Sequence, residues 1–395
     1  MPFQTCFTIH PCRRLLLGFS GALLVLALKS SFSSDPSYAA EEVAFRYGPF
    51  EETLSVKDLQ TYAQTQKASS DLKSFLSLLG SEKQQALQTF LQIKLPLNVV
   101  TLDKLLDQEV GKKTLAEAAK VTIRRDNAGS QALRAAFILG SLSQEGLGLV
   151  SFLEAYPSQK ITIDVLQAPK LLHFLFGNQF QVKNLGNSSQ QPLTDELNSE
   201  PWWQLAVQYQ DIDTQNKQYS GCLFGDSISS GVGNTLGGQT YNFALPSLST
   251  TSLVEQLKTL IPANVKCQKA IIAIGTNDAL YGTRNGLIAK KMMETIALVQ
   301  SLGATTVTLI PAFYSTVAAS QQPVLAGTNS RVDEINALLR QVATTEKVTV
   351  EAEDIQPLFK NRALKENLTI DGVHLNAKGI KIYRQALLKI LNSIH

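Results

Sequence analysis

The chain has 395 residues, 44% of them hydrophobic and 17% charged. That composition excludes a disordered or fibrous chain and suits a folded protein of about two domains. A formal net charge of +3, with no run of like charges, gives no electrostatic footing for nucleic acid.

The first element in chain order is not fold material. Arg13 and Arg14 precede an apolar run from Leu15 to Leu28, and Ser37-Tyr38-Ala39 places small residues before Ala40. Residues 1–39 therefore read as a secretory signal peptide. The apolar run is shorter than the ~18 residues expected of a membrane span. The expectation is an exported protein, periplasmic or extracellular, within reach of the cell envelope; an uncleaved signal would leave it anchored to the membrane.

Residues 45–175 have helical periodicity. Leu72, Phe75, Leu76 and Leu79, then Leu87, Phe90 and Leu91, recur at steps of three and four. Ser81-Glu-Lys-Gln84 has the form of a capping box before the second run. Further helices are expected over about 55–66, 102–121, 130–142, 146–156 and 162–175, with no alternating strand, so this domain is expected to be all-helical. His173 lies in an apolar stretch and is read as structural. Residues 176–217 form a polar connector, and Trp202 and Trp203 within it are expected to dock it on a domain surface rather than line a substrate groove.

From 218 to the end the pattern changes to strand–helix alternation. Strands are expected at Gly221–Phe224, Thr240–Ala244, Ala270–Ile274, Thr306–Ile310 and Val348–Glu351. Helices are expected near 249–260, 286–302, 329–345 and 377–392. Five strands separated by helices imply an α/β domain with a parallel sheet covered on both faces. Such sheets bind ligands beyond the carboxyl ends of their strands, where strand order reverses. In this register Cys222 and Cys267 sit several residues apart on neighbouring strands. At ~3.3 Å per residue that exceeds the ~7 Å Cα reach of a disulfide, so two buried free thiols are expected.

The polar loops after the first three strands hold Gly225-Asp226-Ser227, Leu245-Pro246-Ser247 and Gly275-Thr276-Asn277-Asp278. Turn chemistry alone explains each of these. The loop Thr369-Ile-Asp371-Gly-Val-His374 before the last helix adds weight, because His374 is the one histidine placed to act in this domain. Asp371, three residues earlier, can fix its tautomer and leave Nε2 free to take a serine proton. The glycines after Ser227 do not complete a dinucleotide fingerprint or a P-loop. Asp226 is read as setting the turn.

These blocks resemble those of the SGNH hydrolases, the GDSL lipase/esterase family, over about residues 219–395. "FGDSISSG", "GTND" and "DGVH" match three family blocks; "NFALPSLST" matches a fourth with Ser247 in place of glycine, five residues after Asn242. The resemblance implies a flavodoxin-like three-layer sandwich with a five-stranded parallel sheet. It implies Ser227 as nucleophile, His374 as general base and Asp371 as its orienting acid. The implied oxyanion donors are the Ser227 and Ser247 backbone N–H groups and the Asn277 amide. The helical half is similar to an uncharacterised domain that precedes hydrolase domains in secreted proteins of photosynthetic bacteria.

Three functions are consistent with these residues. The first is an exported serine ester hydrolase acting on a small-molecule, lipid or glycan ester. The second is a carbohydrate O-acetyl esterase or O-acyltransferase on envelope polysaccharide. The third, a non-enzymatic scaffold, rests only on Ser247. Phe313–Gly327 is expected to form a wall of the pocket. No Cys/His cluster has metal-ligand spacing, and the mechanism needs no cofactor.

Overall fold

The computed structural model describes residues 39–392, apart from 78–83, 85–86, 89–90, 93, 96, 125–127, 145, 177–194 and 324. The signal-like segment and most of the capping box at 81–84 therefore lie outside the described residues.

The N-terminal half opens with a hairpin, β1 (Glu42–Tyr47) and β2 (Phe50–Ser55). Helices α1 (Val56–Thr65), α2 (Ser70–Ser77), α3 (Val99–Asp107), α4 (Glu109–Ala119), α5 (Gly129–Ser141) and α6 (Leu149–Glu154) follow. Ser55 and Asn98 cap α1 and α3 by accepting first-turn amides. Then come β3 (Lys160–Asp164) and α7 (Ala168–Phe176). The half is mainly helical, as expected, but it also holds a three-stranded sheet of order β2-β1-β3 that the periodicity did not reveal. In β1 the buried residues are the neighbours Val43 and Ala44, so no alternation is visible. β3 does alternate Ile161 and Ile163 with polar residues, but it stands just ahead of α7 and merges with it in a helical window. Leu59, Leu72, Leu102, Leu133, Leu153 and Tyr156 belong to one core with Val43 and Ile161. His173 sits exposed on α7.

The expected connector is helical over its last part: α8 (Pro201–Thr214) starts at a proline, which suits a first helical position. Trp203 and Val207 enter the core of the C-terminal half, and Trp202 packs against it. Both tryptophans thus dock the helix. Its other side meets the N-terminal half: Tyr209 Oη accepts from the Asn98 amide at 2.8 Å, and Thr101 Oγ1 donates to Asp213 at 3.0 Å.

The C-terminal half follows the expected pattern closely. Strands β4 (Gln218–Gly225), β5 (Thr240–Asn242), β6 (Lys266–Ala273), β7 (Thr306–Ile310) and β8 (Thr349–Val350) form a sheet of order β5-β4-β6-β7-β8. All four pairings are parallel. Helices α10 (Thr250–Leu260), α12 (Asn285–Ser301), α14 (Asn329–Glu346) and α15 (Ala377–Asn392) connect and cover it; between them lie short helices α9 (Ser227–Ser230), α11 (Thr276–Leu280) and α13 (Val317–Ser320). Period-two alternation builds two cores. Phe224, Ile272 and Leu309 face one layer with Leu253, Ile296 and Leu339; Leu223, Ile271 and Ile310 face the other with Tyr383 and Leu387. This is the three-layer α/β sandwich expected.

One expectation fails. Cys222 and Cys267 are joined by a disulfide, with Cα atoms 5.8 Å apart. The β4–β6 register does offset them, since Cys222 pairs with Ala270 and Cys267 with Tyr219. Yet Tyr219 and Cys222, like Cys267 and Ala270, all face the first core. Inward-facing residues thus step by three rather than two on both strands. Each strand carries a local irregularity of the kind that bends a ladder, and the two irregularities return both sulfurs to one face.

Among the described residues no helix is long and apolar enough to cross a membrane.

Candidate active site

The chain runs from β4 to β5 on one side, then to β6 on the other, so strand order reverses around β4. Ser227 lies just past its carboxyl end. Gly225 permits the turn: a Cβ there would meet the Ser229 side chain at 2.6 Å and the Ala273 carbonyl at 2.9 Å. Asp226 caps the four-residue helix α9 by accepting the Ile228 amide at 3.0 Å. It sets the turn, as the sequence suggested. Asn242 ties β5 to this turn, donating to the carbonyls of Ser229 (2.9 Å) and Gly233 (2.8 Å).

His374 reaches Ser227 from a loop 147 residues away, with Nε2 and Oγ 2.9 Å apart. Its Nδ1 lies 2.7 Å from Asp371 Oδ2. Asp371 Oδ1 also accepts the amides of Val373 (2.9 Å) and His374 (2.7 Å). Partial burial alone would raise the Asp371 pKa. The hydrogen bonds from the His374 ring and the two amides outweigh it and hold the carboxyl below its usual range. An ionised carboxylate on Nδ1–H leaves Nε2 as the acceptor facing the serine. Thr369 holds the loop shut: its Oγ1 donates to the His374 carbonyl at 2.7 Å and accepts the Gly372 amide at 2.9 Å.

Ser247 and Asn277 arrive from the next two strands. Ser247 has φ +63°, a left-handed conformation that glycine adopts more cheaply. The serine therefore keeps the backbone geometry that a glycine would favour. Three side chains of the 277–281 segment clamp it. Asn277 Nδ2 donates to the Leu248 carbonyl at 2.9 Å, and Tyr281 Oη donates to the Ser247 carbonyl at 3.0 Å. Asp278 accepts the Thr250 amide at 2.9 Å and the Thr250 hydroxyl at 2.7 Å. Asn277 keeps a second amide hydrogen. Neither the Ser227 nor the Ser247 backbone N–H has an acceptor among the described residues.

Burial dominates the two inner carboxyls. Asp226 and Asp278 are both desolvated and pushed up to about 6, against which their hydrogen bonds work only in part. Neither hydrogen-bonds the His374 ring as Asp371 does. Tyr281 and Thr250 escaped the sequence reading. Asp278 was visible as the last residue of "GTND", but its role as a clamp needs the fold, because its partner is 28 residues away.

The geometry places all five sequence-picked residues at one edge of the sheet. Residues 223–382 match the family described as GDSL-like lipase/acylhydrolase. The C-terminal domain belongs to that family. The chain is accordingly an ester-hydrolysing enzyme. Ahead of the GDSL domain, residues 39–164 match a family described as an alpha/beta hydrolase of unknown function, DUF1400.

Solved structures similar to part of this chain include a GDSL-like lipase from Bacteroides thetaiotaomicron at 16% identity, covering 45% of this chain and 88% of that one, TM-score 0.38. An acetyl-xylooligosaccharide esterase from Geobacillus Stearmophilus is 16% identical, over 45% of this chain and 94% of that one, TM-score 0.36. A lipase/acylhydrolase from Enterococcus faecalis is also 16% identical, over 43% and 94%, TM-score 0.34. These likenesses are too distant to bear on substrate. No curated protein matches the sequence.

Proposed function

We propose that the chain is an exported serine ester hydrolase working through Ser227, His374 and Asp371. The observation that carries this reading is the unbroken relay from Ser227 Oγ to His374 Nε2 at 2.9 Å and from His374 Nδ1 to Asp371 at 2.7 Å. A serine hydroxyl is a weak nucleophile until a base accepts its proton. His374 takes that proton as Oγ bonds to the acyl carbon, then hands it to the leaving alkoxide. Water, deprotonated by the same imidazole, attacks the acyl-serine and releases the acid. Each tetrahedral intermediate carries negative charge on the former carbonyl oxygen. The Ser227 and Ser247 N–H groups and the Asn277 amide are the donors for it, each worth roughly 10²–10³-fold.

Export is supported by the signal-like residues 1–39 and by the Cys222–Cys267 disulfide, which favours an oxidising compartment. The test of the chemistry is hydrolysis of p-nitrophenyl acetate by wild type and Ser227→Ala. A loss on the order of 10⁶-fold in kcat is expected, by analogy with the serine knockout of subtilisin. Equal turnover by both proteins would refute the role of Ser227.

A further inference from the structure

We propose that the cavity beside Asn277 is an acyl pocket sized for an acetyl group, and that the substrate is the acetyl ester of a bulky, hydroxylated alcohol. This rests on the reading of Ser227 as nucleophile. The cavity is about 20 Å³ and is lined by Asn277, the side-chain oxyanion donor, and by Val373, the residue before the base His374. Phe313, Leu325, Ala326 and Val332 supply its apolar wall. Ser227 is outside the lining; in this proposal the acyl group hangs into the cavity while its carbonyl stays at Ser227.

Its volume decides the acyl length. A single water needs about 10–15 Å³ of space, so a cavity of about 20 Å³ suits a small group such as a methyl. The wall is also hard to widen. Phe313, Ala326 and Val332 are buried, and the Phe313 amide is held by Thr276 Oγ1 at 3.1 Å. Gly327 packs so tightly on α11 that a Cβ would meet the Ala279 backbone at 2.5 Å. The loop expected to form a wall therefore does so by close packing.

The alcohol side is the opposite. The His374 and Asp371 side chains remain 40% and 39% exposed. Beside Asp371 runs a wide groove of about 260 Å³, lined by Thr316, Gln322, Glu366 and Thr369 among others. Hydroxyl, amide and carboxylate groups there suit a polyhydroxylated leaving group. An ester divided this way has its bulk in the alcohol and one methyl in the acid.

The experiment measures kcat/KM of the full chain on p-nitrophenyl acetate, butyrate and octanoate, with acetate release from peracetylated cellobiose in parallel. One methylene too many in a tight apolar pocket is worth about 10–200-fold. Acetate is expected to exceed butyrate by at least about 10-fold and octanoate by more than about 100-fold, with acetate released from the sugar. Leu325→Ala, at a half-buried loop position, should raise the butyrate-to-acetate ratio about 10-fold; Val332→Ala is the second enlargement should the first fail to fold. Octanoate turned over as well as acetate, or a ratio unmoved by both variants, overturns the acetyl pocket. Fluorophosphonate labelling of Ser227 separates the two readings. With labelling intact, such a result leaves the nucleophile standing; no labelling and no ester turnover overturns both.

Discussion

The two halves of the molecule differ in what gathers around their cavities. The N-terminal half has a polar cleft of about 450 Å³, lined by Gln60, Gln64, Gln92 and Gln144 with Lys94 and Glu154. No serine–histidine pair lies in it. The GDSL half has a cleft as large, about 450 Å³ between Thr240, Gln268 and Leu391, but the reactive groups meet elsewhere, with Asp371 beside the groove of about 260 Å³. Size is the usual first guide to a site, but here topology is the better one. In the parallel sheet of the C-terminal half strand order reverses around β4, and the polar loops converge at that point.

The sharpest way to break this contrast is a pair of substitutions, one in each half. Asp371→Asn should lower kcat by about 10⁴-fold, because an amide can hold the imidazole in the wrong tautomer. Gln144→Ala, in the N-terminal cleft, should leave esterase turnover within about twofold, as surface-lining changes distant from a site usually do little. A comparable loss from both would place the chemistry across the halves rather than in one.

The disulfide gives a second, smaller contrast, since it staples the GDSL half alone. It closes a separation of 45 residues, for which chain entropy predicts a stabilisation of about 2–4 kcal/mol. Replacing Cys222 and Cys267 together by alanine should lower the unfolding free energy by about that amount, seen as a lower denaturation midpoint at neutral pH, while the folded fraction keeps its activity. An unchanged midpoint would mean the crosslink is not formed in solution.

The smallest effect belongs to Ser247. Its left-handed backbone costs a non-glycine residue about 1–2 kcal/mol, partly offset by the freedom that glycine has in the unfolded chain. Ser247→Gly should therefore stabilise by about 1 kcal/mol. Its kcat/KM should change by less than about threefold, because the donor is the backbone N–H. A tenfold loss in kcat/KM would show that the hydroxymethyl group itself contacts substrate.

The contrast extends to what could be read in advance. In the GDSL half β7 fell on Thr306–Ile310 as expected, and the long helices began and ended within about two residues of their expected limits. The central strands there end in runs buried on both faces and are separated by helices with one buried side, so the pattern is local. In the N-terminal half β1 pairs in parallel with β3, Glu42 against Lys160. A strand made by a partner so distant leaves little trace in its own few residues. Ser227, Asn277, Asp371 and His374 were legible because each stands in a short block with its own turn chemistry. The clamp of Asp278 on Thr250 and of Tyr281 on Ser247 was not, since neither partner signals the other locally.

The sequence by itself determined the alternation of strand and helix after residue 218, the residues at the strand ends and the chemical types gathered there. Those follow from side-chain period and turn preference, which act over a few residues. The tertiary structure decided that Cys222 and Cys267 bond, that Ser247 holds a glycine-like backbone, and that a cavity lies beside Asn277. Each depends on how two strands bend or how a loop packs against a helix, and those distances are set only when remote segments meet.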